Sequence, residues 1–185
     1  MHFAPDTELT LEFTVALADT MPTATRSGAD ELTTVEQLDA LVDRWQWSGR
    51  RDHDERELRE VREIRDLLPS LWTLPTDEAV PIINGMLADA HALPHLYRHD
   101  DFDWHLHATE PDAPFAERMR VEIALALVDV VRSGETGRLR VCGADDCEGL
   151  FVDMSRNGSK RYCSVRCGNR MNTIAFRERK AADQP

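Results

Sequence analysis

The sequence predicts an α+β chain, with a mostly helical N-terminal domain followed by a small cysteine-rich unit. Apolar residues at helical spacing recur through the N-terminal part. All 4 cysteines lie in the last quarter of the 185 residues. Residues 133–137 contain two glycines after a helical pattern, which is typical of a boundary. We therefore predict one domain over residues 1–137 and a second over residues 138–185.

The first elements follow from the spacing of apolar residues. Large apolar residues alternate over residues 9–17, which predicts a half-buried strand, with a helix as the alternative. The polar stretch 22–30 is predicted to be a loop. Thr33 and Glu36 match a capping box ahead of apolar residues at helical spacing, so a helix should begin there.

Two further helices are expected before the middle of the chain. Asp52 or Asp54 can cap the first of them, and Pro69 should kink or end it. The second should cover residues 76–91, interrupted or started by Pro81.

A hairpin and a core helix complete the N-terminal domain. Residues 94–109 are predicted to form the hairpin, with its turn at His99-Asp100-Asp101. Residues 115–132 give the strongest helical pattern, and few polar residues interrupt it, so this helix should lie at the centre of the core.

Charge is distributed unevenly along the chain. The formal net charge is −12, yet residues 138–185 contain 10 Lys or Arg against 6 Asp or Glu. Residues 1–137 contain 12 against 28. An acidic body with a basic appendage is a recognised asymmetry that favours an anionic partner for the appendage.

The four cysteines have the spacing of a metal site. Cys142, Cys147, Cys163 and Cys167 form two close pairs separated by a short insert. This pattern favours one zinc ion held by four thiolates, and four ligands leave no open position, so the ion should be structural. Another metal, an iron–sulfur cluster or unliganded thiols remain alternatives. With no signal-peptide pattern at the N-terminus, we expect a cytoplasmic protein with reduced thiols and no membrane span.

The order of the ligands predicts a treble-clef zinc finger. Strands are expected around residues 138–141 and 150–152, a turn at Asn157-Gly158, and a final helix that Ser164 caps and that runs to about Ala181. The last two cysteines then bind from the start of that helix. The cations placed to balance the site's negative charge are Lys160, Arg161, Arg166 and Arg170.

The residues Cys167-Gly168-Asn169-Arg170 spell CGNR, and the segments around the other cysteines agree with the same pattern. These segments are Arg140-Val141-Cys142, Cys147, Leu150-Phe151-Val152-Asp153, Ser155-Arg156-Asn157-Gly158 and Arg161-Tyr162-Cys163-Ser164. Together they resemble the CGNR zinc finger family. Its members typically carry an N-terminal domain of the ABATE type, described as a stress-induced transcription regulator. The resemblance implies that the four cysteines bind zinc and that the finger binds DNA. One departure is the three-residue spacing of the last two cysteines, where members often have four.

A basic stripe on the final helix supports an anionic partner. Arg166, Arg170, Thr173, Arg177 and Lys180 share one helical face. The predicted nucleic-acid contacts are Arg156, Lys160, Arg161, Arg166, Arg170, Arg177 and Lys180. Asn169 or Asn172 could pair with adenine. Docking of this stripe on the acidic body, or on another protein, is the competing interpretation.

Other constellations in the body are weaker. Five histidines cluster in sequence and are interpreted as solvated, with a second metal or a ligand pocket as the alternative: His91, His95, His99, His105 and His107. Four tryptophans could line a small-molecule pocket, although core packing is the commoner role: Trp45, Trp47, Trp72 and Trp104. The sequence has neither a phosphate-binding glycine loop nor a catalytic histidine near the finger, so no enzyme is expected.

The sequence therefore predicts a zinc-binding transcription regulator. Its finger would contact DNA, while its body senses a signal, such as a small-molecule effector, or forms a homodimer. The alternative is a zinc-stabilised module that binds proteins or small ligands and has no nucleic-acid role.

Overall fold

A computed structural model describes residues 3–45, 47–98 and 103–182, and within them the chain forms six α-helices and two small sheets. The helices are α1 (Pro5–Ala18), α2 (Val35–Val42), α3 (Glu55–Thr73), α4 (Thr76–Asp89), α5 (Phe115–Arg132) and α6 (Val165–Ala182). The strands are β1 (His95–Tyr97), β2 (His105–His107), β3 (Leu139–Val141) and β4 (Leu150–Val152). The predicted α+β class, mostly helical, is confirmed.

Helix α5 is the centre of the core, as its pattern predicted. Phe115, Met119, Ile123 and Leu127 recur every four residues along one face, and each is at most 2% exposed. This spacing places them in one row along the helix, against which α1, α3 and α4 pack.

Helix α1 corrects the strand expected over residues 9–17. Its buried face repeats at helical spacing through Thr7, Leu11, Thr14 and Ala18, so small and polar residues carry part of it. Buried Thr14 satisfies its hydroxyl by donating to the carbonyl of Thr10 at 2.7 Å. The alternation of large apolar residues indicated the two-residue period of a strand, but the buried face has the period of a helix, so the helix alternative is correct.

Both prolines lie inside helices, so Pro69 does not end α3 and Pro81 does not start α4, while a kink at Pro69 stays a prediction. Helix α3 continues past Pro69 to Thr73, and α4 begins five residues before Pro81 and passes through it. Each proline removes one backbone donor, but burial of residues on both sides, such as Leu68 and Leu71 in α3, keeps the helix together.

The observed helix caps agree with the sequence to within one residue. Asp54 caps α3 by accepting from the backbone N–H of Glu57 at 2.8 Å. Helix α2 begins with a capping box made by Thr34 and Gln37, one residue later than expected.

The predicted hairpin is present over the residues that the structure describes. Strands β1 and β2 pair antiparallel, with Leu96 opposite Leu106. The turn predicted at His99-Asp100-Asp101 lies outside the described residues.

The second hairpin anchors the C-terminal segment to the helical body. Strands β3 and β4 pair antiparallel, and Leu150 and Phe151 are buried. Trp72 of α3 donates its indole N–H to the carbonyl of Phe151 at 3.2 Å, and Asp19 at the end of α1 accepts from the N–H of Leu150 at 3.1 Å. Helix α6, by contrast, is largely exposed, and Cys167 is its one buried residue.

Candidate functional site

The two hairpin strands and α6 bring the four cysteines together. Cys142 directly follows β3, Cys147 lies in the loop before β4, Cys163 precedes α6, and Cys167 lies in its first turn. Ser164 orients that turn, because its hydroxyl accepts from the N–H of Cys167 at 3.3 Å. The four cysteines therefore lie on the elements that the sequence predicted, in the predicted order, while the treble-clef assignment stays a prediction.

The sulfur positions fit a tetrahedral ion. All four Sγ atoms lie within 4.8 Å of one another. The Sγ of Cys163 is 3.8 Å from those of Cys147 and Cys167. A zinc ion with bonds of about 2.3 Å requires sulfur–sulfur distances of about 3.8 Å. The thiols are thus already spaced for one zinc ion.

Burial and the neighbouring thiols shift the pKa values of three of the four cysteines. Burial raises the pKa of Cys147 and Cys163 above the usual range of a thiol. Burial acts in the same direction on Cys167, but hydrogen bonds with Ser164 and with the neighbouring thiols outweigh it and lower the pKa. Closely packed thiols cannot all ionise without an opposing charge, and a divalent ion supplies it by binding the thiolates.

Donors around the sulfurs can balance the negative charge of such a site. The N–H of Gly149 points at the Sγ of Cys147 at 3.4 Å, and that of Cys163 at the Sγ of Cys142 at 3.4 Å. Arg170 lies 3.7 Å from the Sγ of Cys167 and pairs with Asp146 at 2.5 Å. Arg170, predicted both as a counter-charge and as a nucleic-acid contact, is therefore held at the zinc site.

A buried carboxylate shapes the loop between β4 and α6. Asp153 is 0% exposed and accepts from the N–H and hydroxyl of Ser155 and from the N–H of Lys160. Arg140 spans the same loop by donating to the carbonyls of Gly158 and Lys160. These bonds fix the loop that carries three of the predicted contact residues.

The basic side chains lie mainly on the outside of the finger. Six of the seven predicted contacts are exposed: Arg156, Lys160, Arg161, Arg166, Arg177 and Lys180. Lys160 lies over the ring of Phe151, with 5.1 Å to the ring centre, and Arg161 lies over Tyr162. Asn169 and Asn172 are exposed on α6 as well.

A second site, a cavity of about 410 Å³, lies in the helical body. Its walls include α1, the segment 47–49, β2 and α5. Trp45 and Trp47 line it, as the pocket interpretation expected. Trp72 instead bonds to the finger, and Trp104 is 63% exposed.

Arg118 holds one wall of this cavity in place. Its guanidinium donates to the carbonyls of Ser48, Arg50 and Ala113, so it joins α5 to the segment that carries Trp47. Gly49, in this segment, has a φ of +85°, and a Cβ there would lie 2.6 Å from the carbonyl oxygen of Pro111. The chain therefore needs glycine at this position.

Two of the five histidines also face the cavity. His105 and His107 lie side by side on β2, and their Nε2 atoms are 3.0 Å apart. His95 is exposed and lies opposite His107 in the β1–β2 pair, His91 is exposed outside the strands, and His99 lies outside the described residues. Sequence spacing gave a hint of the pair, because residues two apart on a strand share a face.

A helical body joined to a four-cysteine site defines the chain as a zinc-finger protein. The profile of the ABATE family, described as a putative stress-induced transcription regulator, matches residues 11–134. That of the CGNR zinc finger matches residues 138–180. The chain thus belongs to the ABATE family and carries a CGNR zinc finger, which confirms the resemblance and the single structural zinc. A search of curated proteins found no match. Among the described residues, no helix has the length and apolar character to span a bilayer.

Proposed function

We propose that the protein is a cytoplasmic transcription regulator that binds DNA through its zinc finger and senses a signal through its helical body. It acts by binding rather than by catalysis. The family description, that of a stress-induced transcription regulator, supports the regulatory role.

The exposed cations of the finger carry the proposal of DNA binding. Arg166, Arg177 and Lys180 lie on one face of α6, and within the described residues none of them forms an ion pair. The helix also buries almost nothing against the acidic body. This basic face is exposed and is therefore available to the phosphates of a DNA duplex. Each phosphate that a cation neutralises releases counterions, which favours binding.

The residues near this face of α6 suggest which side chains would contact phosphates and which would contact bases. Arg156, Lys160 and Arg161, on the loop that Asp153 fixes, would meet phosphates beside those met by α6. Asn169 and Asn172 project next to the basic face, and an asparagine side chain can pair with adenine in the major groove.

A salt series with labelled duplex DNA tests the proposal. Replacing Arg166 and Arg177 by alanine should weaken binding on every sequence and lower the slope of log K against log salt by about 2. Fluorescence anisotropy of the full zinc-loaded chain measures both quantities.

The matched control removes the same charge from the body. Arg44 and Arg59 are exposed on the body and form no ion pair within the described residues, so their double alanine variant should keep the wild-type slope. Equal slopes for the two double variants would exclude this face of α6 as the DNA contact.

The cavity favours a second function, that of a ligand-binding or protein-interaction module. Its volume lies within the range of small-molecule sites. Val165 and Phe176, 80% and 60% exposed on α6, would also suit a protein partner. If the wild-type protein shows no salt-dependent DNA binding, this alternative takes precedence.

A further inference from the structure

A row of exposed side chains runs along the middle of α6. Val165, Asn169, Asn172 and Phe176 follow one another at intervals of four, three and four residues. At about 100° per residue, this spacing places them within about 40° of one another around the helix axis. Val165 and Phe176 are 80% and 60% exposed, and both asparagines are exposed as well. We call this row the central ridge.

The fold of the chain does not use the central ridge. Its members lie roughly opposite Cys167, the buried residue of α6. In the described part of the chain, the side chains of Asn169 and Asn172 have no hydrogen-bond partner, and Asn169 accepts a side-chain bond only through its backbone carbonyl. Asparagine, valine and phenylalanine are all weaker helix formers than alanine. At exposed helical positions, where packing does not decide the residue type, such residues indicate a role outside the helix.

Cations border the central ridge on both sides. Arg166 and Arg177 lie beside it on one side, and Arg179 lies on the other. All three side chains are exposed, and within the described residues none of them forms a salt bridge. The major groove of DNA, about 12 Å wide, admits an α-helix. With α6 in that groove, the bordering cations would reach phosphates while the ridge faces the base edges.

The side chains of the ridge match A·T base pairs. An asparagine amide can bind N6 and N7 of adenine with two hydrogen bonds, and an apolar side chain can contact the methyl group of thymine. Guanine is read mainly by arginine or lysine and cytosine by carboxylates, and the ridge contains none of these residues. Its chemistry therefore favours adenine and thymine over guanine and cytosine.

The spacing along the helix also suits neighbouring base pairs. Asn169 and Asn172 are three residues apart, which is about 4.5 Å along the helix axis. Successive base pairs are stacked about 3.4 Å apart. Val165 and Phe176 lie about 6 Å beyond the asparagines, one at each end. The two amides can therefore meet adjacent base pairs, with an apolar side chain before and after them.

We propose that the central ridge reads a short A·T-rich sequence in the major groove of DNA. Asn169 and Asn172 bind the adenines of adjacent base pairs, and Val165 and Phe176 contact thymine methyl groups on either side. The inference rests on the DNA binding proposed for the finger and adds the base sequence that the finger prefers.

Sequencing of bound duplexes tests this preference. The full zinc-loaded chain is mixed with duplexes that have fixed ends and a randomised centre, and the bound fraction is sequenced. We expect enrichment of adjacent A·T pairs. Asn169→Ala and Asn172→Ala should each lower the affinity for the enriched duplex about tenfold and weaken the preference at one base pair. The salt slope of both variants should stay that of the wild type, because the cations remain.

The matched control is Asn84→Ala, which removes the same amide from an exposed position of α4 in the body. This variant should bind the enriched duplex with the wild-type affinity and show the wild-type base preference.

A single methyl group tests the contact of Phe176. Replacing thymine by uracil in the enriched duplex, one position at a time, removes the methyl and leaves the base pairing unchanged. At the thymine next to Phe176, the wild type should bind the uracil duplex about fourfold more weakly, the cost of one unburied methyl group. Phe176→Ala should lose this difference, whereas Leu67→Ala, which shortens an exposed apolar side chain of α3, should keep it.

The outcomes separate this inference from DNA binding itself. Salt-dependent binding without A·T enrichment, or asparagine variants that keep the wild-type preference, would overturn the base readout and leave the phosphate contacts of the cations standing. If Phe176→Ala still distinguishes thymine from uracil at every position, the methyl contact is wrong and Phe176 suits a protein partner instead. Binding to no duplex would overturn both proposals.

Discussion

Asp19 lies where the helical body meets the finger, and its replacement by asparagine should stabilise the protein at neutral pH. The carboxyl group ends α1 and accepts from the N–H of Leu150. Burial raises its pKa from 3.8 to about 6, although the bond from Leu150 acts in the opposite direction. A negative charge at the C-terminus of a helix is also unfavourable. Asparagine keeps an oxygen acceptor and has no charge to desolvate.

The shift in pKa gives the size and direction of the effect. Between pH 3.8 and about 6 the folded state binds more protons at Asp19 than the unfolded state does, so stability falls as pH rises. A shift of about 2 units corresponds to roughly 3 kcal/mol, which is an upper value for the gain in Asp19→Asn above pH 7. Near pH 4 the two proteins should have similar stability.

Urea unfolding, followed by tryptophan fluorescence at several pH values, measures the difference in unfolding free energy between the two proteins. Taking that difference cancels changes common to both, including loss of zinc in acid. Asp89→Asn, at an exposed position at the end of α4, is the control and should show little change. A difference that stays constant from pH 4 to 8, or a variant that is less stable at pH 7.5, would refute the reasoning.

Two further predictions concern the zinc and a buried ion pair. Chelation of zinc should melt α6 but leave the body folded, because few apolar contacts hold the finger together. The helical circular dichroism signal should then fall by up to about a fifth, the share of α6 in the helices. An unchanged spectrum in metal-free protein would contradict this prediction. Asp30→Ala should lower the unfolding free energy by about 3–5 kcal/mol, because it leaves Arg65, whose side chain is 4% exposed, without the carboxylate that it contacts at 2.7 and 3.0 Å. Replacing Arg56, the exposed partner of Glu60, by alanine is the control and should lower the unfolding free energy by less than about 1 kcal/mol. If both replacements lower the unfolding free energy equally, the Asp30–Arg65 pair is not the stronger of the two.

Sequence reasoning succeeded where one chemical requirement dominates. Four cysteines in close pairs leave few alternatives to a metal, and their sulfurs do converge. The long apolar face of α5 similarly fits only a core helix, and its observed bounds are those predicted.

The errors arose where tertiary packing outweighs a local pattern. The buried face of α1 includes Thr7 and Thr14, so its period is hidden, although Pro5 at the helix start was an available signal. Pro69 and Pro81 lie in helices that packing preserves. The partners of His107 and His105 come from α5 and from a backbone carbonyl, and sequence spacing cannot reveal either contact.

Helix α1 runs from the cavity to the finger's hairpin. Its first half lines the cavity through Asp6, Leu9, Thr10 and Phe13, and its last turn leads to the carboxyl group that holds the finger's hairpin. A helix of 14 residues is a stiff rod about 21 Å long. If the proposed sensing role holds and a ligand in the cavity tilts α1, the tilt would move the base of the finger directly, without any flexible linker.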